Sequence, residues 1–150
     1  MEKREKPKLG KSSKGKEMHY SAGAVIKKIK DGEEKYLLID RAIPPYGFAG
    51  VAGHVDKGER VEESLVREVK EECGLDVVGF KLLFKEEREG NWCSKGCKVH
   101  YWYLFECDVK GDVKRSLGEA RSIAWFSKKE IKKLKLEPVW KYWFEKLGVL

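Results

Sequence analysis

Three glutamates, Glu68, Glu71 and Glu72, stand at positions i, i+3 and i+4. On a helix this spacing spans about 100° of arc, so the three carboxylates share one side. Like charges that close repel, and a helix serving only as scaffold gains nothing from them. A hard divalent cation removes the conflict. Mg²⁺ takes oxygen ligands and commonly combines a few carboxylates with substrate phosphates. A solvated acidic face would carry the same charges, so the decision rests on the residues around the three.

Those residues have a fixed pattern. The segment Gly53 to Leu75 reads G-H-V-D-K-G-E-R-V-E-E-S-L-V-R-E-V-K-E-E-C-G-L. It fills every position of G-x5-E-x7-R-E-U-x-E-E-x-G-U, where U is a bulky aliphatic residue. Gly53, Glu59, Arg67, Glu68, Glu71, Glu72 and Gly74 are the fixed identities, and Val69 and Leu75 the aliphatic ones. At ordinary residue frequencies such a match arises on the order of once in a million sequences of this length. The segment matches the Nudix box, and the chain resembles the Nudix hydrolase family from about residue 18 to 150.

The resemblance implies an α/β fold, the Nudix α/β/α sandwich, with a mixed sheet flanked by helices. It implies hydrolysis of a nucleoside diphosphate linked to another group, by water attack at phosphorus with help from a divalent metal. Mg²⁺ is the expected ion, with Mn²⁺ as an alternative. Glu68, Glu71 and Glu72 would be its ligands, joined by the Gly53 carbonyl. Arg67 and Glu59 would form a salt bridge pinning the loop to the helix. A later carboxylate is common in the family ahead of a short Trp-bearing strand. Glu119, six positions before Trp125, matches best and competes with Glu68 as general base.

Selection among substrates must come from outside the box. Tyr46, Phe48, Trp92 and Trp125 offer flat faces for a nucleobase, and Arg41 could reach a phosphate. These aromatics point to a nucleoside triphosphate or a similar base-bearing nucleotide. An ADP-sugar is the rival substrate, and a non-catalytic nucleotide- or RNA-binding module the rival function. The intact acidic set argues against lost catalysis. Cys93, Cys97 and His100 form C-x3-C-x2-H, a zinc-like spacing whose fourth ligand would come from elsewhere, Cys107 being one candidate. No second close ligand pair supports it.

The elements that hold these residues follow from pattern. Residues 20–29 and 35–40 read as strands joined at Asp31-Gly32, a hairpin signal. Residues 60–73 form a helix whose apolar stripe is Val61, Leu65, Val66, Val69 and Cys73, stopped by Gly74. Residues 76–89 and 98–109 read as long strands, and 122–126 as a short one. Ser127 and Glu130 make a capping box for a further helix. Pro138 opens a last helix striped by Val139, Trp140, Trp143, Phe144 and Leu147.

Size and composition set the limits. The chain has 150 residues, 41% hydrophobic and 38% charged, enough for one cored domain. Residues 1–17 carry a net +4 of the total +7, with almost nothing apolar. They read as a basic, disordered tail ahead of a domain at 18–150. The tail admits nucleic-acid attraction but does not favour it. No apolar run approaches the ~18 residues of a membrane span. The charged N-terminus lacks an apolar export signal, so the expected compartment is the cytoplasm. The sequence leaves the chain open between monomer and homodimer.

Overall fold

The strand expected over residues 20–29 is longer in the folded chain and organises the whole sheet. The computed structural model describes residues 7–89, 98–116 and 118–150. Five strands precede the first helix: β1 (Leu9–Lys11), β2 (Glu17–Lys30), β3 (Glu33–Arg41), β4 (Phe48–Ala49) and β5 (Val51–His54). Helix α1 (Val61–Cys73) is followed by β6 (Asp76–Glu89), β7 (Val99–Lys110) and β8 (Ala120–Ser127), then α2 (Lys128–Ile131) and α3 (Pro138–Lys146).

β2 is long enough to pair with several strands in succession. Its residues 17–19 pair with β1, 21–24 with β5 and 27–30 with β3, all antiparallel. Along residues 18–26 it pairs in parallel with β7, which pairs antiparallel with β6. β3 also pairs with β4 and β8. The sheet is therefore mixed. At the β2–β3 turn, Asp31 (φ 52°) and Gly32 (φ 75°) both take the left-handed conformation that a two-residue hairpin requires.

Strand alternation gives the sheet two apolar faces. On one, Leu65, Val69 and Cys73 of α1 pack on Ala22, Ala24, Ile26 and Leu37. On the other, Trp140, Trp143 and Phe144 of α3, with Ile131 of α2, pack on Val25, Leu38, Trp102 and Leu104. Each fully buried large side chain contributes roughly 1.5–3 kcal/mol. The two clusters clamp a helix to each face, and the expected α/β/α sandwich results. Gly74, at φ 74°, ends α1, and Pro138 occupies its first turn of α3. No helix among the described residues is long and apolar enough to cross a membrane.

The tail boundary needs correction. Residues 9–11 pair with the start of β2, so the expected break between 17 and 18 falls inside a hairpin. Its turn is closed by Ser12 Oγ, which accepts from the Lys14 and Lys16 amides at 3.3 and 3.0 Å. Ser13 donates to Glu87 of β6 through its amide and hydroxyl, at 2.8 and 2.7 Å. Pairing to an open strand edge uses backbone groups and needs few apolar side chains. Composition alone therefore misses it.

Candidate active site

Helix α1 carries the acidic set and is fixed by its apolar stripe. With Leu65, Val69 and Cys73 held in the core, Glu68 and Glu72 turn toward β5 and are themselves buried, while Glu71 stays half-exposed. β5 meets them edge-on. The Ala52 amide donates to Glu72 Oε2 at 3.1 Å. Gly53 lies against Glu68 so closely that a Cβ built there would overlap the carboxylate. Gly53 does not have a positive φ. The absence of a side chain is required by space and not by backbone conformation.

Arg67 is the hub of the loop. Its Nε donates to Glu59 Oε2 at 2.7 Å and its Nη2 to Glu59 Oε1 at 2.9 Å, a two-pronged pair. Nη1 donates to Glu68 Oε1 at 2.6 Å and Glu71 Oε2 at 3.2 Å. Nη2 also donates to the His54 carbonyl at 3.0 Å and lies 3.3 Å from Asp56 Oδ2. Glu59 in turn accepts from the Asp56 amide at 3.0 Å. The expected Arg67–Glu59 bridge is present, and one guanidinium binds loop, strand and helix together. These carboxylates hold the Arg67 pKa above its ordinary value, the Glu59 hydrogen bonds contributing most.

Glu72 faces the opposite situation. Burial raises its carboxyl well above the usual range, and the charges of Glu68 and Glu119 raise it further. Arg41 and the Ala52 amide pull the other way. Glu119, 47 residues further along the chain, is thus brought within electrostatic reach of Glu72. The link is local: the Ala42 amide donates to the Glu119 carbonyl at 2.9 Å, joining the end of β3 to the turn before β8. Glu68 and Glu72 lie buried beside β5, with Glu119 in charge range of Glu72 and Arg67 engaging Glu68 and Glu71. That donor set suits a hard divalent cation, which takes oxygen ligands and relieves such crowding.

The other expected site residues separate into groups. Arg41 donates from Nε to the Pro45 carbonyl at 2.8 Å and lies 3.8 Å from Glu137. It stands over the same end of the sheet as Glu119. Tyr46 is exposed nearby, with the Arg121 guanidinium 5.5 Å from its ring centre. Phe48 is half-buried and packs edge-on to Phe126 at 5.5 Å, against the α3-side core. Trp125 lies farther along β8, under Lys28 at 4.2 Å, in a cleft of about 490 Å³. The structure does not bring it to the acidic group: Trp125 pairs with Leu37, while the Arg41 end of β3 meets Ala120. Trp92 lies outside the described residues.

The zinc-like spacing, which the sequence did not favour, is described only in part. Cys93 and Cys97 lie outside the described residues. Cys107 is seven residues beyond His100 on β7, so alternation sends it to the other face, roughly 23 Å along the strand. It is buried beside α1 with its thiol pushed up to about 12 by burial. His100 instead meets His19 and His54. Sequence reading also missed two acids. Asp56, inside the box, is buried beside Arg67, and its position in G-H-V-D was the available signal. Glu137 is buried under Arg41, with burial pushing its carboxyl up to about 7. Nothing in the residues flanking Glu137 announces that contact.

The NUDIX domain family model matches residues 19–147. The chain belongs to the Nudix family. Among similar proteins, the NAD-capped RNA hydrolase NudC of Mycobacterium tuberculosis is 31% identical over 111 residues, 73% of this chain and 34% of that protein. The mitochondrial NAD(P)H pyrophosphatase NUDT13 of Homo sapiens is 28% identical over 111 residues, 73% of this chain and 30% of that protein. The chain thus spans about a third of the length of these relatives. Among solved structures, a MutT protein from Methanosarcina mazei Go1 aligns with a TM-score of 0.69 at 24% identity, covering 97% of this chain and 96% of that one. This last likeness concerns the Nudix fold alone.

Proposed function

We propose that the chain is a divalent-metal-dependent pyrophosphohydrolase, cleaving a phosphoanhydride bond in a nucleoside triphosphate or another nucleoside diphosphate-linked compound. The observation that carries this reading is the convergence of Glu68, Glu72 and Glu119 with Gly53 at one end of the sheet, locked by Arg67. Glu68, Glu71, Glu72 and the Gly53 carbonyl would hold Mg²⁺, or Mn²⁺ in its place. When bound, the ion neutralises diphosphate charge and lowers the pKa of a coordinated water. The protein's own part is to hold these oxygens rigid and to take up a proton. Glu119, exposed and in charge range of Glu72, is the better placed base, because Glu68 is already engaged by Arg67. Arg41 and Tyr46 would receive the phosphate and base from the β8 side.

The names of the relatives favour dinucleotides as the first substrates to try, since NADH and NAD-capped RNA both carry a diphosphate between two nucleosides. The test is a hydrolysis panel in Mg²⁺ covering nucleoside triphosphates, NADH, dinucleoside tetraphosphate, ADP-ribose and NAD-capped RNA. Release of a nucleoside monophosphate is expected from at least one member. Glu72→Gln should lower kcat by two or more orders of magnitude with an unchanged circular dichroism spectrum. No turnover across the panel, or a Glu72→Gln variant with near wild-type kcat at limiting Mg²⁺, would overturn the reading.

A further inference from the structure

Three imidazoles from three strands meet on the side of the sheet away from α1. His19 of β2 is directly opposite His100 of β7. His54 of β5 is opposite Ser21, two residues along β2 and therefore on the same face as His19. A ligand nitrogen from each of the three lies within 4.8 Å of the other two. His54 Nε2 and His100 Nε2 are 3.4 Å apart, with their rings parallel to within 3°. His19 stands edge-on to both, its ring centre 4.8 Å from that of His54 and 5.9 Å from that of His100. His19 and His100 are buried, while His54 is only partly so.

These dimensions fit a particular class of ion. Zinc bonds imidazole nitrogen at about 2.0–2.1 Å in a tetrahedron, which places two such nitrogens about 3.3–3.4 Å apart. The His54–His100 separation has that value before any ion is present. The widest pair has to close by about 1.4 Å to reach that spacing. Mg²⁺ and Ca²⁺ are poor candidates because they take oxygen. Neutral imidazoles suit Zn²⁺, Cu²⁺, Ni²⁺ and Co²⁺.

We propose that His19, His54 and His100 form a binding site for one transition-metal ion, Zn²⁺ foremost, distinct from the carboxylate site on α1. Three protein ligands leave the fourth position to water or an incoming group. Along β5 the site is one residue from Gly53, yet alternation separates the two. The Gly53 α-carbon faces Glu68 on the α1 side, and His54 points with Ala52 toward the α3 side. An ion there ties β5 to β7 across β2 and steadies the strand that presents the Gly53 carbonyl.

The test uses the full chain, stripped with chelator and dialysed. Zn²⁺ is titrated in competition with a chromogenic chelator, and Co²⁺ is added separately for its visible spectrum. The expected result is one ion per chain, a four-coordinate Co²⁺ spectrum without sulfur charge transfer, and a raised Tm in Zn²⁺. His54→Gln should weaken Zn²⁺ binding at least tenfold. The Glu71→Gln/Glu72→Gln double variant should bind Zn²⁺ as the wild type does. Should His54→Gln fail to fold, the imidazole ¹⁵N resonances of the wild type give the same answer, since all three rings must shift with one equivalent of Zn²⁺. No retained Zn²⁺ at micromolar concentration would overturn the proposal, as would unshifted imidazole resonances. So would a thiolate band that Cys93→Ser/Cys97→Ser abolishes and His54→Gln preserves.

Discussion

Gly53→Ala isolates the geometry of the acidic site from the stability of the fold. The added Cβ would fall on the Glu68 carboxylate, about 1 Å or more short of the 3.4 Å at which ordinary contact begins. The strand is stapled to β2 through Ala22 and Gly23 and cannot retreat cheaply. Glu68 must move instead, and it leaves its 2.6 Å partner Arg67 in doing so. A misplacement of this size at a reacting centre costs on the order of 10²-fold in rate, or about 2.7 kcal/mol of barrier. Stability should change far less. Alanine is easier to order than glycine in a strand by about 0.5–1 kcal/mol, which offsets part of the lost pairing. The assay is kcat at saturating Mg²⁺ on the best panel substrate, alongside a thermal melt. The expected result is a hundredfold lower kcat with Tm within about 4 °C of wild type. A double-mutant cycle with Glu68→Gln locates the cause: Gly53→Ala should add little once Glu68 is already altered. A Gly53→Ala enzyme within threefold of wild type, or full additivity in the cycle, would refute the reasoning.

Arg67→Ala leaves Glu59, Glu68 and Asp56 without their shared cation, and should destabilise by about 3 kcal/mol, or some 6–12 °C in Tm. Arg67→Lys should recover only part of this, because one ammonium cannot make the two-pronged Glu59 contact. Glu137 has its folded pKa raised from 4.5 to about 7. Below pH 4.5 both states hold the proton and there is no cost; between the two values the unfolded chain ionises first and stability falls; above 7 the full cost of roughly 3 kcal/mol remains. Glu137→Gln should therefore raise Tm at pH 8 and leave it nearly unchanged at pH 4, as differential scanning calorimetry would show. Deleting residues 1–17 removes β1 and the Ser13–Glu87 contacts, so Tm should fall by a few degrees. The deletion also removes the Lys8 amide, which donates to the Val55 carbonyl at 2.8 Å, and the Pro7–Asp56 bridge, so the loop that Arg67 holds loosens and turnover of a small nucleotide should fall, though by far less than in Glu72→Gln.

What the sequence determined by itself was the chemistry that lies within one turn or one loop. Glu68, Glu71 and Glu72 share a face because helix geometry makes it so. The Arg67–Glu59 bridge, between residues eight apart, was an implication of the resemblance to the Nudix box. Hairpin, caps and stripes at Asp31-Gly32, Ser127 and Pro138 were legible because each is a local conformational preference. Tertiary structure decided everything that depends on strand register. Glu119 reaches Glu72 only because β8 pairs with β3, and Trp125 leaves the site because the same pairing carries it four residues away from the Arg41 end. β1 joins the sheet through backbone groups that composition does not register. His19, His54 and His100 converge because a parallel register sets residue 19 opposite residue 100. A shift of that register by one residue would turn His100 to the opposite face, and no local pattern in the chain encodes that choice.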